Sequence, residues 1–123
     1  MAEEARRLTV GLSTRDEVND HVRRAFGGEK LGTFRLFASP ELLWRVVTVK
    51  RVDIMRAMMA QGAMSIREVA RRVGRDIKAV HGDVKALIAA HIIAETEDGR
   101  VELPYDEVRV NYVLSPFEEE AVA

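Results

Sequence analysis

Ser65, Arg67, Arg71, Arg75, Lys78, His81 and Lys85 follow one another at spacings of two to four residues. All seven donate hydrogen bonds, and the arginines and lysines are permanent cations. Such a set holds anions: guanidinium and ammonium groups donate to phosphate oxygens, and arginine or lysine also reaches O6 and N7 of guanine. Arg75, Lys78 and His81 are the candidates for base-edge contact. Lys85, Arg67, Arg71 and the Ser65 hydroxyl suit phosphate, which fixes position without reading sequence. The competing reading of each is a solvated side chain. Catalysis has poorer material. His21, His81 and His91 lack metal-ligand spacing and have no glycine-rich phosphate loop beside them, and Asp16, Asp20 and His21 read as the wet face of one helix. The chain contains no cysteine, which removes thiolate ligands, a cysteine nucleophile and disulfides. The expectation is a binding protein, not an enzyme, with no metal and no cofactor.

The elements that position these donors can be read from local signals. Ser65 with Glu68 three residues on is a capping box, the two side chains satisfying the first amides of a helix reciprocally. Ile66, Val69, Ala70 and Val73 fall at helical spacing, and Gly74 supplies a left-handed C-terminal cap. Asp76 caps the next helix, over residues 76 to 91, whose apolar set Ile77, Val80, Val84, Leu87 and Ile88 forms one buried stripe. At about 100° per residue, Lys78, Gly82 and Lys85 share the outward face with Ala79 beside them and His81 on the flank. After Ile92 and Ile93, Asp98-Gly99 marks the tip of a hairpin with a two-residue turn. Helix, tight turn, helix and hairpin in that order spell a winged helix-turn-helix, whose second helix enters the DNA major groove. Arg100 is the wing's single base among Glu95, Glu97, Asp98 and Glu102, so it alone is a candidate for reaching the minor groove.

The rest of the chain supports this unit. Leu8, Val10 and Leu12 alternate as in a strand, Ser13 or Thr14 caps a helix to about Phe26, and residues 31 to 38 resume as a second strand. This β-α-β arrangement allows parallel strands, and the alternation of Val108, Val110, Tyr112 and Leu114 offers a third to complete the sheet. Ser39-Pro40-Glu41 starts another helix, and Thr48 caps one carrying Val52, Met55, Met58 and Met59 up to Gln61-Gly62. Met55, Met58, Met59 and Met64 read as core filling and Trp44 as a packing anchor. The expected fold class is α+β: a β-α-β unit over 1–38, a winged helix-turn-helix over 39–103, and a C-terminal strand with an acidic tail over 104–123. The FEEEAVA tail reads as disordered or interaction-prone.

Composition sets the outer limits. A chain of 123 residues, 47% of them apolar, buries one core and has no room for two large domains. No run of about 18 apolar residues could span a membrane, and MAEEARRLTV lacks a secretory signal's apolar stretch, so the expected location is the cytoplasm. Net charge is only -1. Residues 45–85 nevertheless hold ten bases (45, 50, 51, 56, 67, 71, 72, 75, 78, 85) against Asp53, Glu68, Asp76 and Asp83, or +6, leaving -7 elsewhere. That asymmetry suits a face that meets phosphate.

LLWRVVTVKRVDIMRAM, SIREVARRVGRDIKAVHGDVKAL, EDGRVEL and PYDEVRV together resemble the MarR-like winged-helix proteins of prokaryotes, and more narrowly a group of short proteins described as DNA-binding antitoxins. The resemblance spans residues 42 to 113 with small gaps. It implies a homodimeric, double-stranded-DNA-binding regulator that represses its own operon and neutralises a cognate toxin. The sequence departs from that pattern at Ala79 and Gly82, where relatives tend to carry larger polar residues. Paired half-sites favour a homodimer, with the helix at 40–47 or the small sheet and its 108–114 strand as candidate surfaces, and the sheet preferred for its exposed edges. The alternative function is a winged helix that grips a basic protein through its acidic wing and tail.

Overall fold

The computed structural model describes residues 6–28, 32–114 and 116. The elements run β1 (Arg7–Leu12), α1 (Arg15–Phe26), β2 (Thr33–Phe37), α2 (Pro40–Val46), α3 (Val49–Met58), α4 (Ile66–Val73), α5 (Ile77–Ala89), β3 (Ala94–Glu95), β4 (Val101–Glu102) and β5 (Glu107–Val110). The fold is α+β. The expected start of the second strand at Leu31 and the 117–123 tail lie outside the described residues.

Three strands form a parallel sheet in the order β2-β1-β5, with Leu8 opposite both Thr33 and Val108. Parallel neighbours need long crossovers. Helix α1 provides the one between β1 and β2, and the entire middle of the chain provides the other. Leu8, Val10 and Leu12 point to one face of β1 and join Leu43, Ile54, Met58, Val69, Val80, Val84, Leu87, Val101 and Leu103 in a single core cluster. The sheet and the helical segment therefore share one core. Met55, Met58 and Met64 are buried in it, whereas Trp44 is 47% exposed and meets Tyr112 edge-on at 5.0 Å.

Helix starts follow from side chains that satisfy the free amides of the first turn. Ser39 Oγ accepts from the Leu42 amide, Thr48 Oγ1 from Arg51, Ser65 Oγ from Glu68, and Asp76 Oδ2 from Lys78 and Ala79. Gly74 closes α4 at φ 66, ψ 35, with the Arg75 amide donating to the Ala70 carbonyl. The loop before α4 is pinned to β4, because Met64 and Val101 exchange backbone hydrogen bonds of 2.9 and 2.8 Å.

Four local expectations are corrected. The Glu68 carboxylate does not return to the Ser65 amide; two arginines one turn later take it. Ile77 is 41% exposed, because at the first position of α5 it precedes the turns that pack on the core. The hairpin turn is centred on Glu97 and Asp98: Gly99 donates to the Thr96 carbonyl and itself takes φ 81, while Thr96 and Arg100 close a three-residue loop. Finally, β5 ends at Val110, since the last bond to β1 is made by Asn111 and Tyr112 turns to meet Trp44.

Candidate nucleic-acid interface

Helix α5 is anchored by Val80, Val84 and Leu87, each wholly buried. Its one acid, Asp83, sits three residues from Val80 and four from Leu87, on the inward side. A carboxylate there needs compensation. Arg51 Nε at 3.0 Å and Arg75 Nη2 at 2.8 Å supply it. Burial pushes the Asp83 carboxyl up, but the hydrogen bonds from Arg75 and Arg51 outweigh this and hold it below the ordinary carboxylate value. Arg51 also donates Nη1 to the Arg45 and Val46 carbonyls at the end of α2. One carboxylate thus ties α2, α3, the α4–α5 turn and α5 together.

This network places Arg75 apart from the other predicted contacts. Its guanidinium faces Asp83 with Nη1 buried and without a partner among the described residues, so its place is behind the exposed face of α5. Lys78, Ala79, His81, Gly82 and Lys85 are all exposed on that face, as the periodicity predicts. Ile77, Lys78 and His81 border an open hollow of about 240 Å³. Lys78 has no ion-pair partner among the described residues, and Lys85 Nζ lies 3.8 Å from Glu95 on the hairpin.

On α4, Ser65 and Arg67 are exposed, and the Arg67 side chain has no partner among the described residues. Arg71 forms a two-pronged pair with Glu68, at 2.7 and 2.5 Å, and Arg72 adds Nε to the same carboxylate at 2.8 Å. The hydrogen bonds from Arg71 and then Arg72 push the Glu68 carboxyl down to about 2. Arg71 remains mostly exposed, so its free edge still faces solvent.

The hairpin stands beside α5. Arg100 Nε donates to Asp98 at 2.9 Å, and the Thr96 hydroxyl donates to the same carboxylate. The Thr96 bond first and the Arg100 bond after it hold Asp98 below its ordinary value despite an opposing desolvation. The hairpin's one base is therefore already matched, while Glu97 and Glu102 leave it acidic.

The arrangement brings Ser65, Arg67, Arg71, Lys78, His81 and Lys85 onto the exposed surfaces of two packed helices and leaves Arg75 behind them. Sequence reading missed the Arg51–Asp83–Arg75 network, for which an acid beside the apolar stripe of α5 was the available signal. Among the described residues no group of three histidines or carboxylates stands close enough to hold a metal, and no helix is long and apolar enough to cross a membrane. No curated protein matches the chain. A family model described as HVO_A0114 matches residues 46–110, from the end of α2 to the end of β5 and more than half of the 123 residues. The chain belongs to the HVO_A0114 family.

Proposed function

We propose that this protein is a sequence-specific DNA-binding transcription regulator built as a winged helix-turn-helix, with α5 entering the major groove and the β3–β4 hairpin as the wing. One observation carries the reading: the outward face of α5 holds Lys78, His81 and Lys85 with small residues between them, while the helix's only acid is turned inward. A rigid helix of 13 residues, about 20 Å long, with a cationic, acid-free side suits a major groove about 12 Å wide. Lys78 and His81 are placed at base edges. Arg67, Arg71, Lys85 and the Ser65 hydroxyl meet phosphate, and Arg75 holds the helix in position from behind. The acidic wing contributes little to DNA affinity beyond Arg100. In this reading the protein acts in the cytoplasm as a homodimer on paired half-sites and represses its own promoter. The role of antitoxin to a neighbouring toxin rests on the resemblance of the sequence alone.

Fluorescence anisotropy of the purified protein against its own upstream DNA and a scrambled duplex, at about 50 and 200 mM salt, tests this. The expected result is a preference for the native duplex and strong salt sensitivity. Arg67→Ala should lower affinity on both duplexes and reduce the salt slope by about 1, while Lys78→Ala should also shrink the preference. Absence of binding at the lower salt would overturn the reading. Binding indifferent to both substitutions would overturn the placement of α5.

A further inference from the structure

Strand β5 borders the parallel sheet, and its outer backbone groups have no partner among the described residues. The Asn111 amide donates inward to the Val10 carbonyl at 2.8 Å. Backbone groups alternate along a strand, so the N–H and C=O of Val108 and Val110 face away from β1. The opposite border differs. The Ser13 amide takes the Phe37 carbonyl, so the Phe34 carbonyl faces outward from β2, and Arg35 Nη1 occupies it at 2.8 Å while Nε donates to the His91 carbonyl at 2.5 Å. A charged side chain on an edge is a device against strand addition. On β2 the charge caps an outward carbonyl; on β5 the charged Glu107 and Arg109 pair with each other at 2.7 Å and leave the outward backbone groups open.

The open edge is also flanked by hollows on both faces. One, of about 520 Å³, runs between β5 and α1 and includes Val110, Tyr112 and Val113 in its lining. The other, of about 420 Å³, lies between β5 and α3 beside Val52, Met55, Met59 and Val108. A strand laid along β5 sends alternate side chains to the two faces, one row over each hollow. The same stretch carries exposed apolar side chains that need cover: Val110 at 36%, Val113 at 66% and Leu114 at 71% exposure.

We propose that the strand added to β5 is the β5 of a second copy of this chain, antiparallel across a twofold axis, so that two three-stranded sheets become one of six strands. A twofold contact needs a self-complementary surface, and here one segment offers the open backbone, an apolar row of Val108 and Val110 for the hollow beside α3, and a polar row of Glu107, Arg109 and Asn111 for the hollow beside α1, which Asp16, Asp20, His21 and Arg24 also line. Cover for the exposed apolar side chains selects the register. An axis at Arg109 sets two guanidinium groups face to face; an axis at Val108 sets Arg109 against Glu107 of the second copy, a pairing each chain already makes within itself at 2.7 Å, and puts Val110 against Asp106. An axis at Val110 sets Val110 against itself and Arg109 against the second copy's Asn111, with Val113 and Leu114 of each copy beyond the pair. The inference rests on the proposed homodimer and gives it a surface: a monomeric chain would remove both, whereas a dimer held elsewhere would overturn this surface alone, and DNA binding through α5 is tested separately.

The chain has no cysteine, so Val110→Cys introduces a single thiol. In a hydrogen-bonded antiparallel pair the Cα atoms are about 5.5 Å apart, within disulfide reach. Mild oxidation should give a covalent dimer of twice 13.8 kDa on a non-reducing gel, while Leu36→Cys on β2 stays monomeric. In sedimentation equilibrium the unsubstituted chain should be dimeric, and Val110→Pro, which removes an outward amide, should be monomeric with an unchanged circular dichroism spectrum. Should the proline variant unfold, Val110→Lys decides in its place. A monomeric unsubstituted chain, a dimer that survives Val110→Lys, or cross-linking through Leu36→Cys in place of Val110→Cys would overturn the proposal.

Discussion

Gly82 lies in the middle of α5, and a Cβ built on it would meet nothing within 4 Å. The fold therefore has no steric need of a glycine there, and the helix bears its backbone entropy without return. Gly82→Ala is expected to stabilise the protein by about 1 kcal/mol, read as a higher urea midpoint at unchanged m-value. Gly74 is the opposite case. Its φ of 66 is the left-handed conformation that the turn before α5 demands, and a glycine following the last apolar position of a helix announced it in the sequence. His91 takes the same conformation, at φ 60, to end α5. Histidine is among the side chains that tolerate this region, but its type alone does not announce it; the demand comes from the Ile92 and Ile93 amides turning back to the Leu87 carbonyl.

At the scale of elements, starts were legible wherever one side chain satisfies amides two or three residues away, as Ser39, Thr48, Ser65 and Asp76 do. What tilts the elements against each other was not, because it joins residues far apart in sequence. Asp83 and Arg51 are separated by 32 positions, and no local pattern pairs them. Asp83→Asn leaves two guanidinium groups facing a neutral amide in a half-buried site. It is expected to cost about 2 kcal/mol, below the range for fully buried pairs, and thermal denaturation should show the loss. The pH dependence has a fixed sign. With its folded value below the ordinary 3.8, Asp83 contributes fully above that value and its contribution drains away as pH falls through the lower one. The stability deficit of Asp83→Asn should therefore be constant near neutrality and shrink in acid. Element ends were less legible than starts: the alternation of Tyr112 and Leu114 promised a longer strand, and the contact with Trp44 ended it at Val110.

For the molecule as a whole, period-two and helical patterns revealed which segments are strands and helices, and the alternation around Val108 and Val110 suggested the third strand. The order β2-β1-β5 was not readable, since alternation says which face is buried and not which neighbour lies alongside. Length and composition pointed to one core but not to which elements would share it, and Leu8 and Val10 lie in the same cluster as Val84 and Leu87. That shared core has a thermodynamic consequence. Unfolding followed by Trp44 fluorescence, which reports on the α2–Tyr112 contact, should coincide with unfolding followed by helical circular dichroism. Two separate midpoints would mean that the sheet melts by itself. The placement of β1 also bears on biosynthesis. It is the central strand, yet one of its two neighbours lies 100 positions later, where Arg7 meets Glu107. At about 5 to 20 residues per second, β1 leaves the ribosome roughly 5 to 20 s before that neighbour exists. Through that interval a row of Leu8, Val10 and Leu12 is borne by a nascent chain whose sheet lacks one side. Cover for that row in the meantime falls to α2 or a chaperone, and the sheet closes only once β5 has been made.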